Sequence, residues 1–203
     1  MLPSAMDPES LIRPAMVLGA YLLGSVSFGL LAAKRAGADL REEGSGNIGA
    51  TNVGRVLGKR VGRVVLVLDA LKGALPVVGA RLLFGADDPW TAATGVAAVV
   101  GHLAPVWHHF RGGKGAATSA GVLLAALPAA GLAGFAGYVI GKKTTKRASV
   151  GSLLGSAIGV GVMVVVLGPD GPRTIMAYTL LALVIIRHAG NIGRLVRGVE
   201  PPS

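Results

Sequence analysis

The chain has 203 residues, 52% of them hydrophobic, with a mean hydropathy of +0.62 and a formal charge of +10. It is too apolar for a water-soluble domain of this length. Its charge lies between long apolar runs, which reads as basic membrane-flanking loops with no nucleic acid partner. Cysteine is absent, which removes disulfides, thiolate metal sites and cysteine nucleophiles together.

The first apolar run, 14–33, follows Arg13 and Pro14 without a convincing cleavage site and reads as a retained helix. The connection 34–63 is basic, with Lys34, Arg35, Arg41, Arg55, Lys59, Arg60 and Arg63. Runs 64–84 and 91–107 are joined by the short turn GADDPW. Run 116–140 lies between RGGKG and GKKTTK, two basic flanks that belong on the same, cytoplasmic side. A single crossing would separate them. With Pro128 and Gly131 marking a turn, the run is read as two short helices in a hairpin whose turn protein must cover. One long kinked helix is the alternative. Runs 150–167 and 174–186 follow, joined by GPDGPR, and Gly151, Gly155 and Gly159 predict a helix-packing face. The expectation is an all-α polytopic membrane bundle. It has about seven helices in one domain spanning 1–203, the N-terminus outside and the C-terminus cytoplasmic.

Three polar motifs interrupt this pattern on the basic side. Residues 42–55 read EEGSGNIGATNVGR. The glycines match a dinucleotide fingerprint literally, but no strand precedes them. Ser45, Asn47, Thr51 and Asn52 offer neutral hydrogen bonds, Arg55 a guanidinium fork, and glycines such as Gly46 free backbone N–H groups for an anion. Residues 108–121 read HHFRGGKGAATSAG. Gly112, Gly113 and Gly115 surround Lys114 just before a helix expected from Ala116. Backbone N–H groups, a helix N-terminus and an ammonium then converge, which suits phosphate, and Thr118 is counted with this site. It is not a Walker A loop, because Gly115 stands where Ser or Thr is required. In RHAGNIGRLVRGVE, 187–200, His188, Asn191 and Arg194 recur every three residues on one helical face. His102, Ser149 and Ser152, at the cytoplasmic ends of other helices, can join the cluster. Asp69 and Lys72, at i and i+3 in an apolar helix, form either a structural ion pair or, through Lys72, a substrate contact.

In their order and placement these motifs resemble the bacterial acyl-phosphate:glycerol-3-phosphate acyltransferase family. LDALKG, GHLAPV and SVGSLLG extend the resemblance from about Gly24 to Glu200. His108-His109 and Gly193 depart from the family's usual residues without removing a group the chemistry needs. The resemblance implies transfer of a fatty acyl group from acyl phosphate to the 1-hydroxyl of glycerol 3-phosphate. The products are lysophosphatidic acid and phosphate, formed at the bacterial inner membrane with the site facing the cytoplasm. It implies no cofactor and no metal, with Ser45, Asn47, His188 and Asn191 in catalysis and the second motif associated with glycerol 3-phosphate. The proton acceptor stays open between His188 and a substrate phosphate. Glu200 matches a family position read as structural. None of the four histidines is followed five places later by the Asp of acyl-CoA-dependent acyltransferases.

Overall fold

A computed structural model describes residues 8–203; the N-terminus, whose side was expected above, lies outside them. The described residues form α1 (Pro8–Gly24), α2 (Phe28–Ala36), α3 (Ala50–Val56), α4 (Lys59–Phe84), α5 (Pro89–Leu103), α6 (Ala116–Ala126), α7 (Pro128–Thr145), α8 (Ala148–Leu167), α9 (Pro172–Arg187) and α10 (Ala189–Val196). A 3-10 turn covers Val106–His108, and no described residue is in a strand. The expected all-helical class holds, but there are ten helices rather than about seven. The basic connection and the C-terminal segment fold in part into the short helices α3 and α10, and the first apolar run is broken.

The break has identifiable causes. Ser25 turns its hydroxyl back onto the Tyr21 carbonyl (2.8 Å), and Ser27 restarts the chain by accepting from the Leu30 N–H (3.5 Å). The carbonyl of Val26, left without a helical donor, receives Lys72 Nζ at 2.7 Å. An unsatisfied carbonyl at this depth would be costly in lipid, and the buried lysine removes that cost.

By length and composition, Ser10–Ala36 and Ala148–Leu167 are each apolar and long enough to cross a membrane. Large apolar side chains face outward, among them Leu82 (82% exposed) and Val165 (85%), as lipid-covered helices require.

Run 116–140 is two helices, broken at Leu127 with Pro128 opening α7, where its missing N–H costs nothing. The turn is covered: Arg81 donates to the Ala125 carbonyl and Arg173 to that of Ala126 (3.2 Å). Arg173 also pairs with Asp87 in the GADDPW turn (2.8 and 3.0 Å). At the other end, Lys114 before α6 and Ser149 in the first turn of α8 meet in one hydrogen-bonded cluster through Asn191 and Glu200. The run therefore enters and returns. Arg173→Leu leaves a buried α6 carbonyl and Asp87 unpaired, and lowers stability by about 1–3 kcal/mol; a thermal unfolding midpoint reads this.

The glycines of α8 meet those of α7 as expected. A Cβ on Gly151 would lie 2.6 Å from the Tyr138 carbonyl, and Gly155 lies against the Gly134 carbonyl. The main core joins Val77, Val99, Val122, Val160, Met163 and Leu180 from α4, α5, α6, α8 and α9. A smaller one, Ala33, Leu40, Val53 and Val65, seats the first motif on α4.

Candidate active site

At the basic end of the bundle the three motifs enclose a cavity of about 330 Å³. Its polar half is lined by Ser45, Asn47, Thr51, Asn52 and Arg55 from the first motif, and by Lys114 and Gly115 from the second. His188, Asn191 and Arg194 come from the third, with His102, Ser149 and Ser152 from α5 and α8. Its apolar half runs between α4, α6, α7 and α8 past Leu66, Leu123, Gly131 and Gly134. Val67 and Phe135 line the same cavity and are 55% and 56% exposed on the outer surface, so this half reaches the lipid-facing side.

The first motif is shaped by left-handed glycines at 44 (φ 65°) and 46 (φ 69°). Asn52 is buried beneath it, accepting from the Ser45 N–H (2.8 Å) and donating to the Leu40 and Glu43 carbonyls (3.2 and 2.9 Å). Its amide is spent on the loop, so Asn52 holds the motif rather than a ligand. Asn47 Oδ1 accepts from the Gly49 N–H (2.8 Å), which leaves its side-chain N–H groups for the cavity. Arg55 lines the mouth and donates to the Pro202 carbonyl (2.8 Å).

The second motif corrects one expectation. The N–H groups of Gly112 and Gly113 do not face an anion; they donate to the Leu103 and His102 carbonyls, both at 3.1 Å. These glycines do not line the cavity, because they lie flat on the end of α5. A Cβ on either would collide with Leu103 or His102. Lys114 and the first turn of α6 are what the loop presents, Gly115 turning into the helix at φ 79°. Three more candidates lie off the cavity. Gly46 only shapes its loop. Thr118 is buried against Gly73 of α4. Lys72 pairs with Asp69 (2.9 Å) and the Val26 carbonyl, so it is the structural alternative that the fold uses. Asp69 itself reaches the cavity wall beside His102, with 3.7 Å between Oδ1 and Nδ1.

Glu200, read as structural, lies at the centre of the third motif and on the cavity wall. It accepts from Asn191 (2.6 Å), Ser149 (2.8 Å) and Arg194 (2.7 Å). These bonds fix two orientations. Asn191 gives its N–H to Glu200 and turns Oδ1 to Lys114 Nζ (2.5 Å), and the Ser149 oxygen keeps its lone pairs for the cavity. The sequence signal was Gly198, left-handed at φ 73°, which folds the chain back under α10. Burial would raise the Glu200 pKa, but the hydrogen bonds from Asn191, Ser149 and Arg194 outweigh it and hold the carboxyl below the usual glutamate range. Burial pushes Lys114 below the usual lysine range; Glu200 opposes this, and Arg194, Arg55 and Arg187 reinforce it. Burial also lowers the His188 pKa and so favours the neutral ring, against the pull of its bond to the Val184 carbonyl. A carbonyl only accepts, so Nδ1 carries the proton in that 2.8 Å bond and Nε2 keeps its lone pair.

The cavity thus joins three cations, oriented neutral donors and acceptors, and an apolar channel reaching the lipid-facing surface. Comparisons with known proteins bear on this geometry. The model of the glycerol-3-phosphate acyltransferase family matches residues 14–198. A glycerol-3-phosphate acyltransferase of Anaeromyxobacter dehalogenans (strain 2CP-1) is 44% identical over 199 residues, covering 96% of this chain and 98% of its own. One of Myxococcus xanthus is 47% identical over 187 residues, covering 92% and 97%. The crystal structure of PlsY, an integral membrane glycerol 3-phosphate acyltransferase, in its glycerol 3-phosphate form superposes with a TM-score of 0.91 at 41% identity, covering 95% of this chain and 96% of that one. Its lysophosphatidic acid form gives 0.88 at 40% identity, covering 94% and 95%. Matched over most of its length in sequence and in fold, the chain belongs to the glycerol-3-phosphate acyltransferase family.

Proposed function

We propose that the protein transfers a fatty acyl group from acyl phosphate to the 1-hydroxyl of glycerol 3-phosphate, releasing lysophosphatidic acid and inorganic phosphate. The observation that carries this reading is the division of one cavity into a cationic end, with Arg55, Lys114 and Arg194, and an apolar end that reaches the lipid-facing side at Val67 and Phe135. A substrate pair with two phosphates and one acyl chain suits that division.

Lys114 and the first turn of α6 hold the phosphate of glycerol 3-phosphate. Arg55, with Ser45 and Asn47, holds the acyl phosphate and polarises its carbonyl. The hydroxyl oxygen attacks the acyl carbon, the bond from that carbon to the phosphate oxygen breaks, and phosphate departs. The hydroxyl proton passes to a substrate phosphate oxygen, with His188 accepting a hydrogen bond from the remaining 2-hydroxyl of the glycerol. The donor is a mixed anhydride, so no covalent enzyme intermediate is needed, and the protein's contribution is positioning and charge stabilisation.

Purified protein supplied in turn with acyl phosphate, acyl-CoA and acylated carrier protein tests this. Lysophosphatidic acid forms from the acyl phosphate alone, with or without a chelator. Equal use of acyl-CoA, or loss of turnover on chelation, would refute the mechanism.

The motif-bearing end faces the cytoplasm in this reading, since the basic connections flank it. Single cysteines replacing Thr144 and Gly193, both at open positions, react only with a reagent that enters the cell, and one at Asp170 reacts from outside. Labelling of 144 and 170 from the same side would overturn the arrangement.

A further inference from the structure

We infer that Arg187 is a positioning residue for Lys114: its guanidinium fixes the backbone just ahead of Lys114 so that the ammonium is delivered to the phosphate end of the cavity. The inference rests on the reading of Lys114 as a phosphate ligand.

Gly112 and Gly113 have no side chains by which the loop could be anchored, and they can have none. A Cβ at Gly112 would strike the His102 and Leu103 carbonyls, and one at Gly113 would strike the His102 ring. Only the main chain can be held, and it is held on both edges. The two N–H groups go to the Leu103 and His102 carbonyls at the end of α5 (3.1 Å each). The two carbonyls go to one residue, Arg187, whose Nη2 donates to Gly112 (2.9 Å) and whose Nε donates to Gly113 (3.0 Å). The planar fork suits two successive carbonyls, a geometry that a lysine ammonium does not reproduce.

Arg187 and Asn191 stand four residues apart on either side of His188, at the corner between α9 and α10. Arg187 grips the main chain at the root of Lys114, and Asn191 receives the tip at 2.5 Å. A single corner of the chain therefore sets both ends of one side chain. Arg187 does not itself line the cavity, so its influence passes through the loop.

The test measures glycerol 3-phosphate binding by calorimetry and acyl transfer kinetics for full-length wild type, Arg187→Ala, Arg187→Lys, Lys114→Ala and the double variant Arg187→Ala/Lys114→Ala. Arg187→Ala and Arg187→Lys both weaken binding and raise KM for glycerol 3-phosphate about 10- to 100-fold, the range for losing hydrogen bonds to a charged group. Changes in kcat are much smaller. In the Lys114→Ala background, Arg187→Ala has almost no further effect, because the group it positions is gone. Two results would sink the inference. If Arg187→Lys binds like wild type, the charge matters and the fork does not. If the two substitutions are additive, Arg187 acts elsewhere, and a merely structural role would show as this additivity with a lowered unfolding midpoint. Should Lys114→Ala leave glycerol 3-phosphate binding intact, the assignment of Lys114 fails and takes the inference with it. Failure of acyl phosphate as donor leaves the calorimetric arms readable, so the two readings fall separately.

Discussion

Asn47→Ala lowers kcat by about 100- to 1,000-fold, the usual cost of removing one preorganised donor from a developing negative charge. The structure explains why this side chain has a directed role. Its oxygen is engaged by the Gly49 N–H at 2.8 Å, so its N–H groups are left for the cavity, where the proposed reaction puts the acyl carbonyl. Asn47→Asp sharpens the test: it keeps the acceptor that shapes the loop and replaces the donor with an anion. This variant folds like wild type and is at least as slow as Asn47→Ala. Steady-state kinetics with both substrates varied, alongside unfolding midpoints, would measure it; an Asp variant with near-normal kcat would remove Asn47 from the chemistry. Ser45→Ala behaves similarly, its hydroxyl lying on the same loop at the cavity wall.

His188 gives the second large effect. His188→Ala loses both the bond to the Val184 carbonyl and the Nε2 acceptor in the cavity, and kcat falls by about 100-fold or more. His188→Gln replaces both hydrogen-bonding functions but cannot titrate near neutrality, and it retains far more activity than the Ala variant. The pH profile completes the argument. Burial holds the His188 pKa below the ordinary value of about 6.5, so a histidine acceptor would place the acidic limb of kcat below that pH. A phosphate monoester has its second ionisation near about 6 and gives a limb in the same region. Position alone does not separate them, but the Gln variant does. If a substrate phosphate takes the proton, the limb survives in His188→Gln; an inactive, well-folded Gln variant would assign the proton to the histidine.

Much of this site was legible in the sequence, for a local reason. Ser45, Asn47, Arg55, Lys114, His188 and Asn191 sit in Gly-rich polar segments that break long apolar runs, and in lipid such breaks are costly unless they line something. All six line the cavity. The hairpin at 116–140 was legible from charge, since RGGKG and GKKTTK cannot be on opposite sides of a bilayer under the positive-inside rule. The α7–α8 seam was legible from the four-residue spacing of Gly151, Gly155 and Gly159.

The tertiary structure decided what each polar group is left free to do. Lys72 looked available for substrate until the break in the first apolar run supplied Val26 with an unpaired carbonyl. The N–H groups of Gly112 and Gly113 looked free until they met the end of α5, and Asn52 looked like a ligand until three backbone groups of its own loop claimed it. Glu200, read as structural, orients Asn191 and Ser149, and Arg187, to which the sequence assigned no role, holds two carbonyls of the Lys114 loop. Chain order shows which donors and acceptors a segment owns. Their partners come from helices that are distant in sequence, and because each donor or acceptor has limited capacity, a group already satisfied across a helix contact is no longer free for the substrate.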